Sequence, residues 1–493
     1  MNILLEHIHL MARQRPDTKA LQDAEEQYSW LRCMTEIDRV AALLASYQQQ
    51  TIALYADNSI DWIIVDLACM QTEVTLLPLP PFFSLQQLQH ALKTSGATAL
   101  IIDNNSMFGQ QLAPTDSKNR PLTARLQLQA LKTDGMARLP DETGKITYTS
   151  GSTGQPKGVC LSINNQLAVA QALLQGTGLP AIKHLCVLPL STLLENIAGV
   201  YAPLMSGGQV TVLPAEQVGF NGGRGFDITV FLQAIDHYQP QSLILLPALL
   251  VALLTAIDKG WQPPLSLLFI AVGGSRVSPG LVQRARQAGL PVYEGYGLSE
   301  CSSVVSLNTP HQDTQGSVGQ PLSHVSVTIE DDEVVVSGNA FLGYINEPET
   351  WYQQKILTGD IGYLSSEGYL HILGRKKNLL ISSFGRNINP EWVESELLSN
   401  LILQQCVVVG DAQPFCSALI QPRNPDLPDA FIDNWVHSVN QQLPDYAQIV
   451  HWRRFSPPLS PDEGTLTANG RPVRQLIYQR YQHQIDDFYK EHG

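Results

Sequence analysis

The chain has 493 residues, of which 44% are hydrophobic and 15% charged, and its formal charge is −14. That composition suits a globular protein larger than one small core, and the length suggests two to four domains or subdomains. The acidic balance argues against a general binder of nucleic acid or anionic membrane, while leaving room for local basic pockets that take nucleotides.

Residues 1–17 carry Glu6 and His7 inside their apolar stretch, so they read as an amphipathic helix stopped near Pro16 and not as a signal peptide. No apolar run reaches transmembrane length; the nearest, 242–254, is short and contains Pro247. Peripheral contact is the one form of membrane association left open. Helical spacing covers 30–47, 59–71 and 84–95, with short strands at 51–55, 74–78 and 97–103 between them. Strands separated by helices in this way predict parallel βαβ units. Residues 104–118 are polar and punctuated, as in a surface loop.

A strand at 146–148 then enters Thr149-Ser150-Gly151-Ser152-Thr153-Gly154-Gln155-Pro156-Lys157-Gly158. Glycines let several N–H groups converge on an anion, hydroxyls add rotatable donors, and Lys157 adds a point charge. The stretch departs from the P-loop motif, because Pro156 precedes the lysine and Gly158 follows it. The alternative is a flexible Gly/Ser surface loop.

Further on, helices read at 164–175, 193–205, 229–237 and 248–258, and strands at 186–190, 209–213, 242–247 and 267–272. Residues 219–225 are glycine-rich without a phosphate-binding pattern, which predicts a loop. Hairpin-like β structure at 325–336 and 368–373 precedes Gly374-Arg375. The expected division is a large domain over 1–374 and a small α+β domain over 375–493. The seven cysteines (33, 69, 160, 186, 301, 406 and 416) form no CxxC or zinc-like spacing. A reduced cytoplasmic setting fits them.

Three other clusters carry chemistry. Gly273-Gly274-Ser275 ends a strand and lets a flat ring approach the backbone. Glu294-Gly295-Tyr296-Gly297-Leu298-Ser299-Glu300 offers an aromatic face for a purine, a hydroxyl for phosphate and a carboxylate for Mg²⁺. A strand end with a core tyrosine and a surface acid is the alternative. Thr358-Gly359-Asp360, expected in a loop before the hairpin, is weak alone, since an aspartate in a turn usually satisfies its own backbone.

TSGSTGQPKG resembles the phosphate-binding loop of the adenylate-forming superfamily, which includes acyl-CoA synthetases, nonribosomal peptide adenylation domains and luciferases. The resemblance runs over nearly the whole chain, with at least five motifs in family order, and SFGRNxxPEWVE at 383–394 is most similar to the fatty acyl-CoA synthetase branch. It implies an α/β fold: a large N-terminal domain of βαβ layers plus a β-rich subdomain, followed by a small mobile C-terminal domain. In the family, Y-G-x-T-E supplies the adenine stack, a phosphate contact and the metal ligand, which maps onto Tyr296, Ser299 and Glu300. Thr149 joins Glu300 on the metal side. The resemblance assigns the ribose hydroxyls to Asp360 and Arg375 and the hinge to Lys377. It assigns passage of the acceptor arm to Gly385.

Two positions depart from the family. In LPLSTLLE the family's histidine is Thr192, while Glu195 keeps the acid. In LTANGRPVR the family's catalytic lysine is Arg471, with Arg474 retained downstream. Arginine is larger, planar and bidentate, so adenylation slower than that of a lysine enzyme is expected.

The function implied is ATP- and Mg²⁺-dependent activation of a carboxylic acid, a medium- or long-chain fatty acid, and its transfer to CoA. The alternative acceptor is the phosphopantetheine arm of an acyl carrier protein, which would act in trans. A rival of another class is a nucleotide-binding protein that kept the fold and lost the chemistry.

Overall fold

The computed structural model describes residues 2–104, 112, 119–132, 135, 137–149, 156–222, 225–460, 463–467 and 471–490. Among these, two large sheets share the N-terminal part. An eight-stranded sheet runs Gly343–Tyr344, Lys157–Leu161, Lys145–Thr149, Thr75–Pro78, Thr51–Tyr55, Ala99–Asp103, Leu126–Ala130, Arg120–Pro121. The expected βαβ units form its parallel centre. A nine-stranded sheet is parallel from Lys19–Gln22 to Val292–Leu298, and antiparallel at both margins.

The helices start where small polar side chains cap them. Ser29, Ser59, Ser84 and Ser162 each accept from a backbone N–H in the first turn, and Ser84 and Ser162 complete capping boxes with Gln87 and Asn165. The helix Ile60–Thr72 buries both its faces, which includes burying Asp66. Asp66 ion-pairs with Lys145 at 2.8 Å and accepts from Asn196 Nδ2 (2.8 Å) and Tyr201 Oη (2.6 Å). The Lys145 ammonium also donates to Asn196 Oδ1 (2.6 Å) and Tyr201 Oη (2.7 Å). This closed network ties the strand Lys145–Thr149 to the segment Leu194–Tyr201. Burial pulls the Lys145 pKa below its ordinary value, and Asp66 opposes that shift.

A four-stranded antiparallel sheet (Val325–Glu330, Glu333–Gly338, Lys355–Leu364, Leu370–Arg375) follows. After it comes the C-terminal part, with a two-stranded hairpin, a three-stranded sheet Leu403–Val409, Cys416–Pro422, Ile449–Arg454, and the helices Pro390–Leu397, Asp429–Asn440 and Arg474–Lys490. The two parts touch. Ser278 donates to Glu396 at 2.7 Å, and Leu401 packs against the core that contains Ile270 and Leu281.

Three expectations shift. The strand expected at 186–190 is Lys183–Cys186, since Pro189 cannot donate to a central ladder. The helix expected at 193–205 opens with two π-helical turns, Leu194–Tyr201. Asp360 lies within the strand Lys355–Leu364 and not in a loop. All seven cysteines are unpaired and buried, and burial raises every one of their pKa values. Among the described residues, no helix is long and apolar enough to cross a membrane.

Candidate active site

A cleft of about 2290 Å³ opens between the two large sheets, the four-stranded sheet and the C-terminal part. Thr149 and Lys157 face each other across an antiparallel pair at its rim. The loop residues Ser150, Gly151, Ser152, Thr153 and Gly154 lie outside the described residues. Lys157 is half-exposed, ion-pairs with Glu347 at 3.0 Å, and sits 4.8 Å from the centre of the Tyr344 ring.

Gly273, Gly274 and Ser275 form the opposite wall, next to the strand Val292–Leu298. That strand turns back at once into Ser303–Leu307. The return is tight. A Cβ on Gly297 would collide with the carbonyl of Ser303, and Ser302 and Ser303 take φ of 59° and 112°. Backbone held in the left-handed region by side-chain-bearing residues marks a constrained site. The constraint sets Glu300 on the cleft wall, where Tyr344 Oη donates to its Oε1 at 2.7 Å.

Tyr296 also lines the cleft, and its hydroxyl donates to Asp360 Oδ2 at 2.6 Å. Arg375, paired across the sheet from Asp360, approaches Oδ1 at 2.8 Å and donates to the Thr358 carbonyl at 2.8 Å. Burial pushes the Asp360 pKa up, against the pull of Arg375. Glu294 is buried further in. Desolvation raises its pKa to about 8, with Arg276 opposing.

Lys377 and Arg471 approach from the C-terminal side. Arg471 exposes part of its surface, yet its guanidinium enters the cleft and donates to the Gly274 carbonyl at 2.5 Å. Desolvation lowers its pKa, and Arg375 adds repulsion. Arg474 reaches the cleft but is committed elsewhere. It forms a buried pair with Glu394 at 2.7 Å.

Thus Thr149, Lys157, Gly273, Gly274, Ser275, Glu294, Gly295, Tyr296, Gly297, Ser299, Glu300, Asp360, Arg375, Lys377 and Arg471 border one cleft. Gly385 does not. It turns the hairpin Leu380–Ile381 to Asn387–Ile388 at φ 75°, beside Phe384, which is 77% exposed. Nor does Glu195 border the cleft. It is fully buried, bonded to His184 Nε2 at 2.7 Å and accepting from the Leu188 amide at 2.8 Å, so it shapes the cleft wall through the backbone. The Thr192 hydroxyl donates to the Pro189 carbonyl at 2.7 Å and completes a turn.

Tyr344 and Glu347 escaped sequence reasoning. They sit on and just after a two-residue strand far along the chain from Glu300 and Lys157, and a short Gly-Tyr step before a polar turn carries no chemical signal by itself.

Residues 9–345 match the family described as AMP-binding enzyme, and residues 377–493 match its C-terminal domain. The long-chain-fatty-acid–CoA ligase FadD15 of Mycobacterium bovis is 25% identical, covering 89% of this chain and 88% of its own. The 2-succinylbenzoate–CoA ligase of Enterococcus faecalis is 27% identical, covering 82% of this chain and 85% of its own. Among solved structures, O-succinylbenzoate coenzyme A synthetase from Bacillus subtilis, in complex with ATP and magnesium ion, superposes with a TM-score of 0.75 at 22% identity, covering 95% of this chain and 98% of that one, a likeness of fold. With the family match spanning the cleft from its phosphate-facing rim to Glu300 and Tyr344, and continuing through the small domain, the chain belongs to the AMP-binding enzymes and is itself an enzyme.

Proposed function

We propose that the chain joins a monocarboxylic acid with a medium or long apolar chain to the thiol of CoA, at the expense of ATP. The observation that carries this reading is one cleft that Lys157, Tyr296, Glu300, Asp360, Arg375 and Arg471 border together with a set of apolar side chains.

A carboxylate is a poor acyl donor. Its oxygen attacks the α-phosphorus of ATP, pyrophosphate leaves, and a mixed anhydride forms; the thiol then attacks the carbonyl carbon and AMP leaves. The first step is positioning and charge neutralisation. Lys157 and the loop from Thr149 hold the outer phosphates. Tyr296 presents its ring to the adenine, and Asp360, steadied by Arg375, accepts from the ribose. Arg471 spans carboxylate and α-phosphate. Glu300 keeps one carboxylate oxygen outside its bond to Tyr344, and with the Thr149 hydroxyl it makes the sparse oxygen set that Mg²⁺ prefers beside phosphate. Bound there, Mg²⁺ would neutralise phosphate charge. The small domain, taken as 375–493, swivels at Lys377 and brings the Gly385 hairpin to the cleft for the second step. The seven unpaired cysteines support a reducing, cytoplasmic setting.

The two kinds of relative differ in substrate, and the apolar side chains on the cleft favour the fatty acid. Leu173, Leu174, Leu194, Ala198, Val304 and Leu307 are among them. The cations on the cleft among the described residues are Lys157, Arg276, Arg375, Lys377, Arg471 and Arg474, and Lys157, Arg375 and Arg474 are already paired with Glu347, Asp360 and Glu394. A second carboxylate among those apolar side chains would be buried unpaired, at a cost of several kcal/mol. AMP release with C8 to C16 acids, with 2-succinylbenzoate, and with CoA or a phosphopantetheinylated carrier as acceptor tests this. The expected result is kcat/KM rising with chain length, CoA required, and no turnover of the dicarboxylate. Preference for the dicarboxylate or for the carrier overturns the substrate or the acceptor, and loss of acid-dependent ATP–pyrophosphate exchange overturns catalysis.

The Lys157–Glu347 pair implies a competitor for the triphosphate. Partly exposed pairs are worth up to ~1 kcal/mol, so Glu347→Gln is expected to tighten ATP binding by at most about fivefold. Calorimetric titration checks it; weaker binding in Glu347→Gln would make the acid a positive contributor.

A further inference from the structure

We propose that Tyr344 is a positioning residue that aims the carboxylate of Glu300 at the divalent cation of bound ATP. The proposal rests on the reading of Glu300 as metal ligand given above.

The phenol is held from several sides. Gly343–Tyr344 pairs antiparallel with Lys157–Leu161, placing Tyr344 opposite Val159. The turn that follows is closed by Tyr344 N–H donating to Thr350 Oγ1 (2.9 Å) and by Trp351 Nε1–H donating to the Tyr344 carbonyl (2.8 Å). Phe341 meets the ring edge-on, 4.9 Å between centres, and its amide donates to the backbone carbonyl of Glu300 at 2.7 Å. Ring and acid are therefore fixed to each other through backbone as well as through the 2.7 Å bond from Oη to Oε1.

That bond has a chemical consequence. A carboxylate with one oxygen committed to a donor presents the other as a single, directed ligand. Mg²⁺ demands near-octahedral geometry and one or two carboxylates, whereas a larger cation accepts both oxygens of one acid. Donors behind a ligand fix its orientation and basicity, and their loss commonly costs 10- to 100-fold in metal affinity. Lys157, over the same ring, places the phosphate-side cation and the metal-side anion on one rigid support.

The test is calorimetric titration of the full chain with ATP, once with Mg²⁺ and once with EDTA, for the native protein, Tyr344→Phe, Glu300→Gln and the double variant. Tyr344→Phe is expected to bind ATP in EDTA within about twofold of native, while the strengthening by Mg²⁺ falls about 10- to 100-fold. The double variant is expected to match Glu300→Gln. A Tyr344→Phe protein that keeps the native strengthening overturns the proposal. So does one whose affinity falls equally in both titrations, because that reports a structural role. Native strengthening in Glu300→Gln would overturn the metal-ligand reading itself, and Tyr344's role with it.

Discussion

Arg471→Ala is expected to slow acyl-adenylate formation by roughly 10²- to 10³-fold, the size of effect seen when one preorganised charge-stabilising group is removed. Arg471 is bonded to Thr467 twice: Thr467 N–H donates to the Arg471 carbonyl at 2.7 Å, and Thr467 Oγ1 accepts from the Arg471 amide at 3.0 Å. These bonds fix the Arg471 backbone at the edge of the cleft. Its guanidinium is partly spent on the Gly274 carbonyl, and Arg375 repels it. A lysine in the same place would deliver a compact charge without needing that planar contact. Arg471→Lys is accordingly expected to form adenylate faster than the native chain. Rapid-quench pyrophosphate release measures both variants. Thioester formation from preformed acyl-adenylate should change by less than about threefold if, as proposed, the charge of Arg471 serves the first transition state and not the second. A slower Arg471→Lys, or an Arg471→Ala defect confined to the second step, would reassign the residue.

The second large effect concerns stability. Lys145→Met leaves Asp66 buried without its cation and is expected to cost about 3–5 kcal/mol. Asn196 and Tyr201 would still donate to Asp66, which softens the loss without supplying charge. The double variant Asp66→Leu, Lys145→Met removes both charges. It is expected to recover most of the loss but to retain about 1–3 kcal/mol for the polar groups of Asn196 and Tyr201 left unpaired. Urea titration of the three proteins reads the ranking: native, then double, then single. A single variant as stable as native would show that the network is not needed to hold the strand Lys145–Thr149 to the helices Ile60–Thr72 and Leu194–Tyr201.

Much of the fold was legible because it is local. Helical spacing placed the helices at 59–71 and 84–95 within a residue or two of Ile60–Thr72 and Leu85–Ser95. Strands whose partners lie far away were not. Lys19–Gln22 is a strand because Gln209–Val212 lies beside it, and four residues carry too little pattern to show that. Asp360 was expected in a loop because Thr-Gly-Asp reads as a turn, although buried and exposed residues alternate along Lys355–Leu364 in the manner of a half-buried strand. In the site, motifs named the residues that face the cleft, but the groups that hold those residues went unseen. Tyr344 on Glu300, Glu347 on Lys157 and Tyr296 on Asp360 are contacts that only tertiary structure creates.

The seven buried cysteines bear on how such an enzyme survives its own chemistry. A mixed anhydride acylates any accessible thiolate, and an enzyme whose co-substrate is itself a thiol works beside a pool of exchange partners. Burial with raised pKa values removes all seven side chains from that competition. The native chain is thereby a silent background for thiol labelling. A single cysteine introduced as Phe384→Cys, on the exposed tip of the Gly385 hairpin, would carry a fluorophore alone and test in real time the proposed swing of the small domain.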